Sequence, residues 1–447
     1  MNKRLFLILS AFLLLFSLIE KGWTIETYRP ETSVAGFIQL PGSGRQVYNF
    51  NPGWRFFKGD IRGAESVDFD DRSWTIVSTP HTVELMPAEA SGCRNYQGPA
   101  WYRKHFVLPA ETKGKQVLIH FEAAMGKQVL YLNGKRIQEH IGGYLPFTLD
   151  LTANGVQAGD SCLLAVFIDN SNDKSFPPGK PQYTLDFAYH GGIYRDVWMI
   201  AKSPISITDA IESQTIAGGG VFVHFDKISE KSAQVYVNTE LQNKDQRSET
   251  VTVETALTDT DGKVIRRASG KLSLKPGEKK TIRQQIEIKN PKLWSPDSPY
   301  LYRVQSRVKK GNQSIDGGIT RIGIRQAEFR GKDGFWLNGK PFGQLVGANR
   351  HQDFAYVGNA LPNSQQWRDA KRLRDADTGK VYGVVTSVDH PGAQDIYTVK
   401  SPSGKEYMFP GVDAFLKERN PPEGYILVTP IPGLLDDDFD SEHDGEE

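Results

Sequence analysis

The sequence has little net charge and few cysteines. Its 447 residues carry a formal net charge of +1 at pH 7. This argues against a general DNA, RNA or membrane-surface binder, because such proteins present a basic face. The only cysteines are Cys93 and Cys162. They either form a disulfide, as they could in an exported protein, or remain separate thiols, since sequence does not give their Cα separation.

The sequence also lacks the features of a metal or cofactor protein. No spacing typical of metal ligands is evident in the chain. Zinc and similar sites usually place cysteine, histidine or carboxylate ligands at short, regular intervals. We therefore expect neither a metal nor a cofactor.

A short apolar run occupies the N-terminus. Lys3 and Arg4 precede the run Leu5–Ile19, which is too short for a membrane-spanning helix. A basic start followed by such a run is typical of a secretory signal peptide. The alternative, a buried first helix, is disfavoured because the run is apolar on every face. We predict a signal peptide over residues 1–22, a periplasmic or secreted location, and no membrane span after its removal.

The chain is too long for one ordinary domain, and β-strand patterns dominate it. "QVLIHFEAAMGKQVLYLNGKRI" contains two alternating apolar runs joined by the hairpin signal Asn133-Gly134. "DSCLLAVFIDN" is the continuous apolar run expected of a strand inside a sandwich. Together these patterns predict a jelly-roll β-sandwich over residues 23–202.

The next region, residues 203–316, repeats the pattern with shorter turns. "AQVYVNTELQN" and "ETVTVETALTDTDGKVI" alternate apolar and polar residues, and no helix signal interrupts them. This is typical of an immunoglobulin-like β-sandwich.

Residues 317–376 contain the one strand–loop–helix pattern in the chain. A short apolar strand is predicted over 343–348. A helix is predicted from Ser364, a suitable N-cap, to Ala376. This order of elements opens an α/β barrel, so we predict the first βα unit of an incomplete (β/α)8 barrel.

The sequence pattern changes again in the C-terminal region. "GKVYGVVTSV" and "DIYTVKSPSGKEYMFP" are short strands with glycine, proline and serine turns, and predict a small β-barrel over residues 377–435. Eight of the final twelve residues, 436–447, are acidic, and this segment should be disordered. The predicted fold class is therefore mainly β and multidomain.

Several ordered motifs between about residues 48 and 376 resemble glycoside hydrolase family 2, especially bacterial β-galactosidases. They include "NPGWRFFKGD", "GPAWYRKHF", "HGGIYRDVWM", "LWSPDSPYLYRV" and "FWLNGKPFGQLVGANRHQD". The resemblance implies an N-terminal sugar-binding jelly roll, an immunoglobulin-like domain and the start of a (β/α)8 barrel.

The resemblance also implies sugar-contacting residues. Barrel active sites lie at the C-terminal strand ends, so Asn349, Arg350 and His351 after the first strand would face a β-galactoside-type sugar. Imidazole and guanidinium groups suit hydroxyl recognition; the alternative is a salt-bridged barrel rim. In the family, a carboxylate before the "GI-x-RD" strand reaches the sugar. Asp186 holds that position here, and a solvated loop aspartate remains the alternative.

Catalytic residues are not found. Retaining hydrolysis needs two carboxyl groups about 5 Å apart. In the family both come from later barrel strands, and the acid/base follows an asparagine. This sequence contains no Asn-Glu dipeptide, and neither Glu328 nor Asp353 matches a catalytic position. We predict weak sugar binding without glycosidase activity.

The C-terminal motifs "GKVYGVV", "GAQDIYTV", "GKEYMFP" and "PIPGLLD" resemble the PRC-barrel half of the ribosome maturation factor RimM, over about residues 377–438. The resemblance implies contacts with small ribosomal subunit components in the cytoplasm, in conflict with export. Acidic residues outnumber basic ones there, so phosphate binding should not dominate. Three interpretations remain: an exported hydrolase fragment, which covers most of the chain, a ribosome factor with a foreign extension, or a chimera without joint function.

Overall fold

The computed structural model describes residues 31–32, 39–86, 95–343 (except 176, 186, 261 and 297), 345, 353–363, 373–375, 381–389, 396–401, 403–410, 416–420 and 425–428. Strands, turns and loops make up almost all of them, which confirms the mainly β, multidomain prediction. Contacts divide the chain into two compact units, residues 1–360 and 361–447.

Two terminal predictions are left open. The predicted signal peptide, residues 1–22, and the acidic tail, residues 436–447, lie outside the described residues. Within the part of the chain that is described, no helix has the length and apolar character needed to cross a bilayer.

The first sandwich packs two antiparallel sheets, with strand orders β1-β2-β11-β6-β9 and β4-β3-β5-β10-β7-β8. Tyr48, Trp54, Ile119 and Leu164 come from both sheets and share one buried core, which makes the region a sandwich. Its strands are β1 (Glu31–Thr32), β2 (Gln46–Asn49), β3 (Trp54–Lys58), β4 (Thr75–Val77), β5 (Pro99–Val107), β6 (Gln116–Phe121), β7 (Lys127–Leu132), β8 (Lys135–Ile141), β9 (Phe147–Asp150), β10 (Ser161–Asp169) and β11 (Val197–Lys202). Short 3-10 turns lie at Ala110–Thr112 and Gln182–Thr184.

The predicted hairpin turn between β7 and β8 is confirmed. Asn133 and Gly134 have φ angles of 49° and 80°. Two successive positive φ angles match the type I′ turn, whose twist suits a tight hairpin and which asparagine and glycine tolerate best.

The second sandwich alternates buried and exposed residues along its strands, as the sequence predicted for an immunoglobulin-like domain. In one sheet β14 pairs with β12, β13 and β17; the other has the order β16-β15-β18-β19. The strands are β12 (Ile205–Ile207), β13 (Val221–Asp226), β14 (Ser232–Asn243), β15 (Glu249–Thr258), β16 (Val264–Leu274), β17 (Lys279–Lys289), β18 (Tyr302–Lys310) and β19 (Gln313–Ile322).

A buried carboxylate joins the two sandwiches. Asp316, whose side chain is fully buried, accepts hydrogen bonds from Arg45 Nε and Nη2 at 2.8 and 2.9 Å. It also accepts one from the backbone N–H of Ile207 at 2.7 Å. Because Arg45 lies between β1 and β2 of the jelly roll and Asp316 lies on β19 of the second sandwich, this bidentate pair fixes the junction between them.

A three-stranded antiparallel sheet follows the second sandwich. It consists of β20 (Ala327–Phe329), a 3-10 turn (Gly331–Asp333), β21 (Phe335–Leu337) and β22 (Lys340–Gly343). Gly343, predicted to begin the first barrel strand, instead ends β22. Most of that predicted strand lies outside the described residues.

The second unit is a β-sheet with the order β26-β25-β24-β23-β28-β27. Its buried core contains Tyr397, Val399, Phe409, Leu416 and Val428. The strands are β23 (Leu373–Asp375), β24 (Val381–Asp389), β25 (Ile396–Lys400), β26 (Glu406–Pro410), β27 (Leu416–Asn420) and β28 (Tyr425–Val428).

The predicted helix from Ser364 to Ala376 is wrong at its end. Leu373–Asp375 is a strand that pairs with β24 and with β28, so backbone pairing within the C-terminal sheet overrides helix propensity there. The remainder of that helix lies outside the described residues. The C-terminal sheet therefore begins before the predicted boundary at residue 377.

Candidate functional site

The predicted sugar-contacting residues Asp186, Asn349, Arg350 and His351 all lie outside the described residues. The residues that flank them are described. Two segments matter: the loop that contains residues 182–190, and residues 353–360, which follow His351 in the chain.

Amide side chains close the first segment. Gln182 is buried, donates from Nε2 to Asn95 Oδ1, and accepts at Oε1 the backbone N–H of Tyr189 at 2.9 Å. Asn172 Oδ1 accepts the backbone N–H of Gln182 at 3.0 Å and the hydroxyl of Tyr189. Asn170 Nδ2 donates to the carbonyls of Tyr96 and Tyr189. Both ends of the loop are therefore fixed to the residues that directly follow β10.

The second segment folds tightly against the jelly roll. A backbone bridge joins Phe354 and Gly358, and the backbone N–H of Tyr356 donates to the carbonyl of Met86. Gly358 has a φ of 54°, and a Cβ there would lie 2.5 Å from His190 Cγ. Only glycine fits this position, because both the backbone angle and the space exclude a side chain.

His190 and Asp353 bring the two segments together. His190 Nε2 lies 3.7 Å from Asp353 Oδ2, beyond hydrogen-bond distance but within ion-pair range, and both side chains are at least nine-tenths buried. Burial lowers the pKa of His190, while the Asp353 carboxylate opposes that shift. The imidazole is therefore neutral at pH 7. In sequence, His190 follows Asp186 by four residues and Asp353 follows His351 by two.

A charged group and exposed tyrosines accompany this contact. Glu84 accepts hydrogen bonds from Lys58 Nζ at 2.8 Å and from the backbone N–H of Tyr96 at 2.7 Å. The Lys58 hydrogen bond lowers the pKa of Glu84. Tyr183 and Tyr356, one on each segment, are 77% and 58% exposed. The cluster thus offers hydrogen-bonding groups and rings with a polar tip, which suits a sugar better than an apolar ligand.

The other predicted residues have simpler surroundings. Glu328, on β20, pairs with Arg330 at 2.6 Å. Cys162 is buried in the jelly roll, and burial raises the pKa of its thiol to about 11. Cys93 lies outside the described residues, so a disulfide between the two stays a prediction. The described residues include no group of three or more histidine, cysteine or carboxylate side chains arranged to hold a metal.

Comparison with known proteins identifies the two sandwiches. Residues 65–204 match the family model "Glycosyl hydrolases family 2, sugar binding domain", and residues 216–325 match "Glycosyl hydrolases family 2". This part of the chain belongs to glycosyl hydrolases family 2. The jelly roll is therefore the family's sugar binding domain, as the motifs implied.

Several family 2 relatives cover the same part of the chain. A β-galactosidase of Thermoanaerobacter pseudethanolicus is 34% identical over 74% of this chain and 42% of the relative. A β-glucuronidase of Formosa agariphila is 33% identical over 72% of this chain and 34% of the relative. A solved β-glucuronidase from glycoside hydrolase family 2 has a TM-score of 0.65 and 30% identity, covering 75% of this chain and 37% of that one. The chain thus spans about two fifths of the length of these family 2 proteins.

The C-terminal unit matches a different family. Residues 367–434 match the model "RimM PRC barrel domain", which confirms that resemblance. The match begins ten residues before the predicted boundary at 377, in agreement with the position of strand β23.

Proposed function

We propose that the family 2 part of this chain binds a β-linked sugar without hydrolysing it. The observation that carries the proposal is the 3.7 Å contact between His190 and Asp353. It brings together the loop whose sequence contains Asp186 and the segment 353–360, which follows Asn349, Arg350 and His351 in the chain. Residues from distant parts of the chain would then contact one ligand.

The sugar class follows from the family. The jelly roll belongs to a sugar binding domain, and the relatives include both β-galactosidases and β-glucuronidases. A galactoside is the expected ligand because the motifs most resemble β-galactosidases. A glucuronide is the natural comparison, since it carries a carboxylate that Arg350 would attract.

Hydrolysis is excluded from the proposal because its two carboxyl groups are not found. A retaining enzyme needs an acid/base and a nucleophile about 5 Å apart. The 447 residues contain no Asn-Glu dipeptide of the kind that carries the acid/base in the family. Binding groups without these carboxylates hold a substrate but do not lower the barrier to glycosidic cleavage.

Binding is tested by ligand-observed NMR on the full chain with 4-nitrophenyl β-D-galactoside and the matching glucuronide. We expect saturable, weak binding that His351→Ala and Asp186→Ala each reduce by about fivefold or more. The control is His224→Ala, which changes an exposed histidine on the second sandwich. Absence of saturable binding, or equal binding by all variants, contradicts the proposal.

A second candidate function concerns the C-terminal unit. Its match to the RimM PRC barrel domain supports binding to small ribosomal subunit components in the cytoplasm. Co-sedimentation of the full chain with small ribosomal subunits tests this, and cell fractionation tests export at the same time. Secretion without co-sedimentation favours the sugar-binding role, and the reverse result favours the ribosomal one.

The junction itself is also testable, because a chimera without joint function remains an alternative. Trypsin cuts after arginine and lysine, so the intact chain must yield the peptide Asp375–Lys380. Its detection in cells by mass spectrometry supports expression of the joined chain. Its absence, with peptides from both units present, contradicts it.

A further inference from the structure

A groove with a volume of about 880 Å³ lies where the jelly roll meets the second sandwich. Its walls come from jelly-roll residues 108–117 and 150–158, from Pro204 in the linker, and from Lys244 and Gln246 in the second sandwich. Ligand sites for small molecules and short oligomers have volumes of about 300–1,000 Å³. The groove is therefore large enough for an oligosaccharide.

This groove is separate from the candidate sugar site. Strand β6 begins at Gln116, which lines the groove, and ends at Phe121. Just beyond that end, Met125 packs with Tyr189 and Ala360 of the candidate site. Six residues of strand place its two ends about 17 Å apart. The two sites thus lie at opposite ends of the same sheet.

A hydrogen-bonded cluster fixes one wall of the groove. Lys244 Nζ lies 3.0 Å from Asp150 Oδ2 and 2.5 Å from Glu212 Oε1. Gln116 Nε2 donates to the same Asp150 oxygen at 2.7 Å. Burial lowers the pKa of Lys244, but the hydrogen bonds to Glu212 and Asp150 outweigh it and raise the pKa overall. The wall is a rigid, already paired surface that connects the two sandwiches.

Other polar groups of the groove are not committed. The side chains of Lys113, Gln157 and Gln246 are exposed and have no hydrogen-bond partner within the described part of the chain. Lys115, two residues after Lys113, adds a second positive charge. Unlike Lys113 it already has partners, since its Nζ donates to Gln46 Oε1 at 2.6 Å and to the Gly44 carbonyl at 3.3 Å. The open part of the groove therefore offers cations and amides that can both donate and accept.

The apolar part of the groove lining indicates which class of ligand the groove can bind. Leu108, Val117 and Val156 line the groove and are buried. The described lining contains no aromatic side chain, so a ligand cannot be held by stacking on a ring. Recognition must come from charge and directional hydrogen bonds, which a carboxylate and several hydroxyls would satisfy.

We propose that this groove is a second binding site, which takes an acidic oligosaccharide. A uronic acid carboxylate pairs with Lys113 and Lys115, and neighbouring hydroxyls exchange hydrogen bonds with Gln157 and Gln246. The site lies outside the candidate sugar site and holds an acidic glycan at the far end of the jelly roll. It does not depend on whether that other site binds a galactoside.

The test is calorimetric titration of the full chain with trigalacturonate, with neutral cellotriose as the comparison ligand. We expect binding of trigalacturonate only, weakened at least tenfold by Lys113→Glu and several-fold by Gln157→Ala. Raising the salt concentration should weaken it further, because exposed charges are screened. Lys289→Glu, which changes an exposed lysine of β17 outside the groove, serves as the matched control and should leave the affinity unchanged.

The outcomes separate the two sites. Binding that survives Asp186→Ala and His351→Ala but is lost in Lys113→Glu supports the groove, whatever the galactoside result. Binding lost in Asp186→Ala or His351→Ala and kept in Lys113→Glu places the ligand at the other site and overturns the proposal. No binding at millimolar trigalacturonate, or equal binding of cellotriose, also overturns it.

Discussion

The two sandwiches of this chain fill their interiors differently. The second sandwich is filled mainly by valine, isoleucine and leucine from alternating strand positions. The jelly roll adds a cluster of aromatic rings and also buries complete cationic side chains, Arg103 and Lys104. Simple alternation of apolar and polar residues describes the interior of the second sandwich. The interior of the jelly roll also needs a specific partner for each buried charge.

Both buried cations have such partners. Arg103 Nε lies 2.7 Å from Asp71 Oδ2, and its Nη1 donates to the carbonyl of Ser66 at 2.9 Å. Lys104 Nζ donates to the carbonyl of Phe50 at 2.7 Å and lies 4.1 Å from the centre of the Phe50 ring. The stability of the jelly roll should therefore depend on the partners of these buried cations. Among the described residues of the second sandwich, no lysine or arginine is buried in this way.

The largest effect is expected from Asp71→Ala. Asp71 is fully buried and contacts Arg103, Arg55 and His105, so its loss leaves a buried guanidinium without its counter-ion. Breaking such a pair costs about 3–5 kcal/mol. Urea unfolding measures the change. The neighbouring exposed pair of Asp70 and Arg72 provides the control Asp70→Ala, which should change little; similar losses for both variants contradict the account.

Asp316→Ala comes next, because it removes the connection between the sandwiches. It leaves Arg45 and the backbone N–H of Ile207 without their acceptor. A buried donor left without its acceptor costs about 1–3 kcal/mol. Because the Arg45 side chain is 19% exposed and water can reach it, we expect a total loss of about 2–3 kcal/mol. Hydrogen exchange should rise around Arg45 and Ile207 together. A rise confined to one sandwich would show that the junction does not couple them.

Acid should destabilise the jelly roll before the second sandwich. Burial lowers the pKa of His81 to about 4 and also lowers those of His120, His140 and His190, all in the jelly roll. The unfolded chain binds these protons near pH 6.5. Stability contributed by the neutral histidines is therefore complete above pH 6.5 and is lost as pH falls towards 4.

The measurement is hydrogen exchange at pH 4–7, which follows each sandwich separately. His81→Gln should reduce the loss of jelly-roll protection on acidification by about 2 kcal/mol. The control His224→Gln changes an exposed histidine of the second sandwich and should leave the dependence on pH as it was. Equal acid sensitivity of the two sandwiches would contradict this difference between them.

The smallest effects should be the same in both sandwiches. Ile119 in the jelly roll and Ile286 in the second sandwich are both buried. Truncation to valine removes one methylene group and costs about 0.5–1.5 kcal/mol. Similar values from urea unfolding would place the difference between the sandwiches in their polar interiors. A much larger loss for Ile119→Val would place it in the packing of apolar groups.

The sequence predicted the regular parts of the fold and missed the polar ones. The Asn133-Gly134 turn and the alternating strands of the second sandwich follow from local chemistry, since turn angles and the strand period are properties of neighbouring residues. The burial of Arg103 was not predicted, because Asp71 lies 32 residues away. Such a pair becomes visible only when the strands are assembled.

Prediction of the candidate site from the sequence was limited in the same way. The family motifs named Asp186 and His351, but they gave no sign of the amides of Asn172 and Gln182 that close the loop. A signal existed in the run "DNSND" after β10, where asparagine and aspartate favour side-chain to backbone hydrogen bonds. The helix predicted to end at Ala376 was wrong at Leu373–Asp375 because its residues pair with strands that lie later in the chain.

The most direct test of the central claim is to measure binding and turnover of 4-nitrophenyl β-D-galactoside in the same sample of the full chain. We predict saturable binding together with release of nitrophenol no faster than in buffer, because retaining cleavage needs two carboxyl groups about 5 Å apart and we propose that this chain supplies neither. Turnover above buffer that His351→Ala abolishes would contradict the claim that this chain binds a sugar without cleaving it.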